Sequence, residues 1–403
     1  MDGILASNAL YRNVHRLFDW LLPDSLAWLA LLLTGLVLAF AFINALMIFV
    51  AGVVFIERRV LGRFQSRLGP NRVGPFGALQ PIADLVKLVF KEDVVPAQAD
   101  KLVFFLAPVM MVVPALALTA VIPYGKNTYI ANLNVGILFA VAITSVSSLG
   151  IFMAGWGSSN RFATLGAMRG VAMLVSYEVP MILSLAGVLL MSGTLSLVGV
   201  VEAQRIPFVL LQPLGFLVFL IAATAEMNRA PFDIIEADSE IVAGYHTEYS
   251  GIKWGMFQLA EYAAMTVSAA VLVTVFLGGW QNPFVPQSWA QVLPSQLWFL
   301  LKLGFVLFLL IWVRATIPRM RVDQILGFAW KVLFPLAFLN LVVTAIEVQI
   351  VPYPSAWQLW LLVGINMAVA AGAVVGFGAA LRPRRAKAAA SVTLASLQAE
   401  AVR

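Results

Sequence analysis

The sequence predicts an all-α polytopic membrane protein, and its composition and its apolar runs carry that prediction. Of its 403 residues, 61% are hydrophobic and 11% are charged, and the mean hydropathy is +0.92. A soluble globular domain has about 25% charged residues. Apolar runs of about 20 residues recur along the chain, and a helix of that length can cross a ~30 Å hydrocarbon core.

We expect about nine transmembrane helices and one amphipathic helix in the first long loop. The runs cover 28–56, 102–123, 135–156, 168–192, 209–226, 258–279, 297–317, 330–350 and 358–381. The amphipathic helix is predicted over 79–90, lying along the membrane interface. A single transmembrane domain would cover 1–382, and 383–403 would be a basic, flexible cytoplasmic tail.

The distribution of Lys and Arg predicts the orientation. With the N-terminus outside, 21 of the 26 cations fall in inward segments and four in outward ones. Cytoplasmic loops of membrane proteins carry an excess of Lys and Arg, so the N-terminus is expected outside and the C-terminus in the cytoplasm.

Redox cofactors held by this chain are not expected. It has no cysteine, which excludes a thiolate-held iron–sulfur cluster within it. The two histidines, His15 and His246, are predicted on opposite sides of the membrane and so cannot ligate one haem together. No metal site is expected either.

The segment 226–248 concentrates negative charge between two predicted spans. It holds six of the 20 acidic residues of the chain. They are Glu226, Asp233, Glu236, Asp238, Glu240 and Glu248. Acids near lipid are unfavourable, so this cluster suggests protons, cations or a charged partner. A solvated loop that docks a basic partner is the alternative interpretation.

Three of the ionisable residues within the predicted spans suggest a function. Glu178 lies near the middle of the fourth span, where a charge costs about 2.5–3.5 kcal/mol. Glu261 and Lys302 are predicted near the starts of the sixth and seventh spans. Together they could form a chain of titratable groups. A structural ion pair for Glu178, and interfacial snorkelling for the other two, remain open.

The basic residues of the inward segments have two interpretations. Arg58, Arg63 and Arg67 follow the first span, and Arg314 ends the seventh. Anchoring to anionic lipid would account for the charge. The Gly-Pro-Asn turn between Arg67 and Arg72 instead suggests a shaped site.

These segments closely resemble one family, the membrane subunit of proton-translocating NADH–quinone oxidoreductase (complex I) at the junction with the peripheral arm, called the H subunit or subunit 1. The strings that carry the resemblance are ERRVLGRFQSRLGPNRVGPFG, LQPIADLVKLVFKED, SYEVP, AEMNRAPFDIIEADSEIVAGYHTEYSG, LAEY and WVRATIPRMRVDQILGFAWKVLFPLAFLN, in the expected order over about 57–350. The resemblance implies a subunit that forms the mouth and part of the wall of a quinone chamber, with quinone as substrate and reduction in a neighbouring subunit.

The resemblance also implies roles for individual residues, none of them catalytic. Quinone-chamber positions fall on Arg58, Gln65, Arg67, Asp84, Lys87, Arg229, Phe232 and Arg314. Proton-relay positions fall on the six acids of 226–248 and on Arg169, Glu178, Glu261 and Lys302. Met173 stands where the family often has Gln, which removes a polar neighbour expected for Glu178.

The resulting hypothesis couples the two sets. Quinone changes the charge near Arg67 and Asp84, the loop acids respond, and Glu178 and Glu261 pass the change to antiporter-like subunits. The expected partners are therefore peripheral-arm and antiporter-like subunits, quinone and lipid, with no nucleic acid. Three alternatives stay open: the equivalent subunit of a membrane-bound hydrogenase, a stand-alone ion transporter, and a passive anchor for the peripheral arm.

Overall fold

The computed structural model describes residues 9–23, 26–235, 243–282 and 293–380. Fourteen α-helices make up this part of the chain, and it contains no β-strand, which confirms the all-α class. Eight helical segments are long and apolar enough to cross a membrane. They are α2 (Ala27–Phe64), α4 (Lys101–Thr119), α5 (Gly136–Gly157), α6 (Arg161–Ser192), α10 (Gly251–Phe276), α11 (Ser295–Thr316), the continuous segment Val322–Ile350, and α14 (Ala356–Ala380).

The predicted fifth span, 209–226, is interrupted at Gln212. It folds as α8 (Phe208–Leu211) and α9 (Pro213–Glu226), and Gln212 has the non-helical angles φ −133° and ψ 62°. Pro213 has no N–H to donate, so it starts a helix more readily than it continues one. A helix of 14 residues is about 21 Å long. The count of nine spans therefore stays a prediction.

Several helices extend beyond the apolar runs that predicted them. α2 continues to Phe64, about two turns past residue 56, and α6 and α10 begin at Arg161 and Gly251, about two turns before the predicted starts. An apolar run marks only the part of a helix that can lie in hydrocarbon, whereas backbone hydrogen bonding continues into the polar flanks. Glu261 consequently lies in the third turn of its helix.

The shorter helices complete the description. The predicted amphipathic helix forms as α3 (Gln80–Phe90) and exposes its apolar side chains; its position at a membrane interface stays a prediction. α1 (Ala9–Leu21) was not predicted, and packs on α2. α7 covers Leu197–Ala203. The segment Val322–Ile350 consists of α12 (Val322–Phe328), a π-helical stretch Ala329–Leu333, and α13 (Phe334–Ile350).

α10 lies at the centre of the bundle. In the most apolar stretch of α10, 78% of the residues are buried. In the corresponding stretch of α14, at the edge of the bundle, only 17% are buried. α2 and α11 end, and α4, α6 and α10 begin, at one end of the bundle, which we call the basic end. At the other end, called the opposite end, Lys126 donates its backbone N–H to Ser295 Oγ at 3.1 Å. Most of the predicted site residues lie at the basic end.

Candidate functional site

A buried carboxylate, Glu57, lies at the centre of the basic end. It is 1% exposed, in the part of α2 that the sequence prediction treated as loop. Its Oε1 accepts a hydrogen bond from Arg229 Nη1 at 3.1 Å, and its Oε2 lies 3.4 Å from the same nitrogen. Arg314, in the last turn of α11, donates to Oε1 as well. One carboxylate therefore joins two guanidinium groups.

The turn after α9 directs Arg229 into the bundle. α9 ends at Glu226, and Asn228 takes the left-handed conformation with φ 51°, which Asn tolerates better than most residues. Phe232 follows, 3% exposed, with its ring 5.1 Å from that of Tyr177 on α6. The turn thus fixes one charged and one aromatic side chain beside α6 and α10.

Arg229 keeps its charge although it is 7% exposed. Burial alone would lower the pKa of Arg229, but Glu57, Tyr262 and Glu261 together raise it above its ordinary value. The guanidinium carbon lies 4.1 Å from the centroid of the Tyr262 ring, a distance typical of a cation–π contact. By distance and angle, its Nε and Nη2 make no hydrogen bond with the described residues.

A second ion pair links α2 to α3. Arg58 Nη1 lies 2.5 Å from Asp84 Oδ2, and Gln80 Nε2 donates to Asp84 Oδ1 at 3.0 Å. Partial burial alone would raise the pKa of Asp84. The hydrogen bonds from Arg58 and Gln80 and the charges of Arg58 and Lys87 outweigh it, so the pKa of Asp84 lies below its ordinary value.

The loop between α2 and α3 folds back on the end of α2. Arg67 donates its backbone N–H to the Gly62 carbonyl at 2.8 Å, and its Nε donates to Gln65 Oε1 at 2.7 Å. A Cβ on Gly69 would lie 2.9 Å from the Cα of Arg59, so only glycine permits this approach. The side chains of Gln65 and Arg67 are exposed at the edge of the basic end.

Glu178 and Glu226 form a separate, partly buried cluster with hydroxyl residues of α5. Ser145 Oγ hydrogen-bonds to Glu178 Oε1. Thr144 and Glu178 lie close enough to Glu226 to change its electrostatic environment. A cavity of about 40 Å³, lined in part by Thr144 and Glu226, adjoins it, and a water molecule needs only about 10–15 Å³. Ser145 thus provides the polar neighbour that Met173 does not.

The remaining acids of the loop have individual partners. Arg319 Nη2 donates to Asp233 Oδ2 at 2.7 Å, and Asn160 Nδ2 donates to Glu248 Oε1 at 2.6 Å. Glu261 is 7% exposed and contributes to the electrostatic environment of Arg229. The predicted relay residues Glu236, Asp238 and Glu240 lie outside the described residues.

Two predicted relay residues do not join the Glu178 cluster. Lys302 Nζ donates to the carbonyls of Leu277 at 2.7 Å and Gly279 at 3.0 Å and to that of Gln281, so it caps α10 at the opposite end. Arg169 lies on α6 nine residues before Glu178, about 13.5 Å along the helix axis. The structure therefore does not bring Lys302 and Glu178 together as neighbours in one cluster.

Sequence reasoning missed Glu57, Thr144, Ser145 and Tyr262. The sequence did point to Glu57, because it is the one acidic residue beside the arginines that follow the first predicted span. Ser145 and Thr144 carried none, since hydroxyl residues inside a span usually bond to the backbone of their own helix.

This fold and site define a polytopic helical membrane protein with one buried, charge-paired carboxylate and a second, partly buried pair of carboxylates. The sequence matches the family described as NADH dehydrogenase over residues 37–345. It is 50% identical to the H subunit of NADH-quinone oxidoreductase from Dehalococcoides mccartyi (strain CBDB1) over 86% of this chain and 94% of that protein. The corresponding protein of Brevibacillus brevis is 46% identical over 75% of this chain and 89% of its own length. That of Geobacillus kaustophilus is 47% identical over 74% and 89%.

The chain belongs to this NADH dehydrogenase family and is a relative of the H subunit of NADH-quinone oxidoreductase. It is accordingly an integral membrane protein and part of an oxidoreductase complex, with the other subunits of that complex as its partners.

Proposed function

We propose that this chain forms the mouth and part of the wall of the quinone chamber of complex I, and that it couples quinone reduction to proton translocation through its buried carboxylates. The observation that supports the chamber most is the Glu57 cluster. It gathers Arg229, in the turn after α9, and Arg314, at the end of α11, two of the residues assigned to the chamber.

The chemistry of the basic end suits a quinone headgroup. A quinone carries two carbonyl oxygens that accept hydrogen bonds, and Arg229 holds two buried nitrogens that by distance and angle make no hydrogen bond with the described residues. Arg58 follows Glu57 directly on α2, and its partner Asp84 lies on α3. Quinone is a substrate in this proposal; no resident cofactor or metal is assigned, and electrons pass through a neighbouring peripheral-arm subunit.

The coupling step rests on the second cluster. A change of charge in the chamber would act on Arg229, which is electrostatically linked to Glu57 and Glu261. Glu226 and Glu178 lie next along the bundle and have hydroxyl partners that can exchange a proton through water. The two sites would then share two states that differ in proton affinity. Antiporter-like subunits would receive the change.

The wider arrangement is part of the same proposal. The single transmembrane domain is placed at 1–382 and the cytoplasmic tail at 383–403, in a bacterial inner membrane with the N-terminus outside. The basic end then faces the cytoplasm and the peripheral arm, as the positive-inside rule requires.

Photoaffinity labelling tests the chamber. A quinone carrying a photoreactive group would be illuminated in the assembled complex, with and without excess unlabelled quinone, and the labelled peptides of this chain mapped. We expect labels that excess unlabelled quinone suppresses, and we expect them within 58–87, within 227–232 or around Arg314. Competed labels confined to the opposite end would contradict the chamber assignment.

The hydrogenase alternative has a separate test in the subunits that purify with this chain. NADH-oxidising and antiporter-like subunits support complex I, whereas hydrogenase subunits would support the alternative. Ion flux through the isolated chain in liposomes would support a stand-alone transporter.

A further inference from the structure

A buried polar track lies in the part of the bundle formed by α8, α9, α13 and α14. It consists of Gln212, Asn340, Thr344, Glu347 and Asn366, each at least nine-tenths buried. Asn340, Thr344 and Glu347 share one face of α13, because they are spaced four and three residues apart on the helix. The family match ends at residue 345, so Glu347 and Asn366 lie beyond it.

Hydrogen bonds connect the members of the track across helices. Asn366 Nδ2, on α14, donates to Glu347 Oε2 at 2.9 Å. Gln212 Nε2, at the break between α8 and α9, donates to Thr344 Oγ1 at 3.3 Å. The Thr344 hydroxyl donates in turn to the Asn340 carbonyl at 2.8 Å. These hydrogen bonds therefore connect α13 both to α14 and to the break between α8 and α9.

Three buried polar atoms of the track have no protein partner among the described residues. They are Glu347 Oε1, Gln212 Oε1 and Asn340 Nδ2. Buried polar atoms almost always bond to protein or to ordered water. Two acceptors and one donor in a single track are the set of groups that water molecules, which both donate and accept, can satisfy together.

Two glycines face the same atoms. A Cβ on Gly187 of α6 would lie 3.0 Å from Asn340 Nδ2 and 3.0 Å from Gln212 Oε1. A Cβ on Gly215 of α9 would lie 2.9 Å from Asn340 Nδ2. The orphaned amide atoms thus approach two helix backbones that carry no side chain there, and a methyl group at either position would crowd the track.

Glu347 has no counter-ion among the described helices of this region. α8 and α14 contain no ionisable residue, α13 contains none besides Glu347, and α9 has only Glu226 at its far end. On α6 the nearest ionisable residue to Gly187 is Glu178, nine residues away. An ionised carboxylate without a cation is unfavourable in apolar surroundings, so a neutral carboxyl suits this site.

We propose that this polar track is a hydrated site that binds and exchanges a proton, with Glu347 as the group that carries it. Hydronium gives its proton to Glu347 Oε1, leaving water and a neutral carboxyl; on release, water takes the proton back and the carboxylate keeps the hydrogen bond from Asn366. Glu347 lies three residues from the end of α13, about 4.5 Å along the axis, so the opposite end is its nearest exit. Breaks in a helix such as that between α8 and α9 are tolerated at membrane depth where the backbone is buried in protein or lines a water-filled cavity.

Cysteine labelling in the assembled complex tests the hydration. The chain has no cysteine of its own, so Thr344→Cys introduces a single thiol. Only the thiolate reacts, and it forms where water is present. We expect a small water-soluble methanethiosulfonate to label Thr344→Cys, and Asn366→Cys as a second position, in intact membranes. The matched control, Ala337→Cys, lies on the same helix in an apolar contact, fully buried, and should not react. Equal, slow labelling at all three positions would overturn the proposal.

Proton translocation tests the role of Glu347, and this part rests on the proposed function. Glu347→Gln keeps an acceptor for Asn366 but cannot exchange a proton, and Glu202→Gln is the control at an exposed acid. In vesicles containing the complex, we expect Glu347→Gln alone to lower the number of protons moved per NADH oxidised. An unchanged ratio would remove Glu347 from proton exchange. Wild-type vesicles that move no protons would overturn the proposed function instead, and the labelling result would still decide the site.

Discussion

Glu57 and Arg229 are separated by 172 residues in the chain, yet their side chains meet at 3.1 Å inside the bundle. Both are less than a tenth exposed. Arg314 shares the same carboxylate, so the cluster carries one net positive charge held together by a single acid. Removing that acid would deprive the buried cation Arg229 and the partly exposed cation Arg314 of their shared partner.

The first prediction concerns Glu57→Gln. Breaking a buried ion pair by removing one partner costs about 3–5 kcal/mol, because the remaining charge stays uncompensated. We expect NADH:quinone turnover of the assembled complex to fall at least about tenfold, equivalent to about 1.4 kcal/mol in the barrier. Ferricyanide reduction by NADH, which does not require the quinone site, should keep its rate.

Glu92→Gln is the matched control for this variant, since it neutralises an exposed acid in the loop after α3. Its quinone turnover should equal that of the wild type. Full quinone turnover in Glu57→Gln would show that the cluster does not shape the chamber.

The second prediction concerns the pH dependence of Asp84. Arg58, Gln80 and Lys87 lower the pKa of Asp84 in the folded protein. The ionised Asp84 therefore stabilises the folded state fully above the ordinary Asp pKa near 3.8, and this stabilisation is lost only as the pH falls through the lower pKa of the folded state. Asp84 is then ionised across the working range, about pH 5.5–8.5. Asp84→Asn should lower quinone turnover by the same factor at every pH in that range. A changed shape of the pH profile would contradict the paired state.

The third prediction concerns Glu178. Glu178→Gln, with assembly intact, should impair both quinone-dependent turnover and proton pumping, because the amide cannot exchange a proton in the cluster with Glu226. Wild-type values in both assays would remove Glu178 from the relay.

Ser145→Ala refines that experiment, since it deletes only the hydroxyl that bonds Glu178. We expect a smaller loss, of about 1 kcal/mol in the interaction. Ser148→Ala is the control, because the Ser148 hydroxyl donates to a backbone carbonyl of its own helix. Equal effects of the two serine variants would show that the bond to Glu178 is not specific.

The fourth prediction separates two roles for Lys302. The ammonium group donates to three carbonyls of the turn that follows α10, so Lys302→Met should lower the thermal stability and the yield of assembled complex. If capping is its whole role, turnover per assembled complex will match the wild type. A selective loss of proton pumping in fully assembled complex would instead support the relay role predicted from sequence.

Much of the fold followed from local composition. Apolar runs located eight membrane-length helices, because span length is set by bilayer thickness and backbone hydrogen bonding. The helix Gln80–Phe90 followed from its spacing of apolar residues. The helix ends did not follow, since residues 57–64 continue α2 while being charged and polar.

The sequence by itself determined the class of this protein, the motifs that mark its family and the identity of most charged groups at the basic end. Only the tertiary structure decided which groups meet: Glu57 with Arg229 and Arg314, Ser145 with Glu178, and Asn366 with Glu347. Hydropathy reports the transfer of one segment into lipid and therefore depends on local sequence. A buried ion pair depends on the relative rotation and depth of two helices, which the packing of the whole bundle sets.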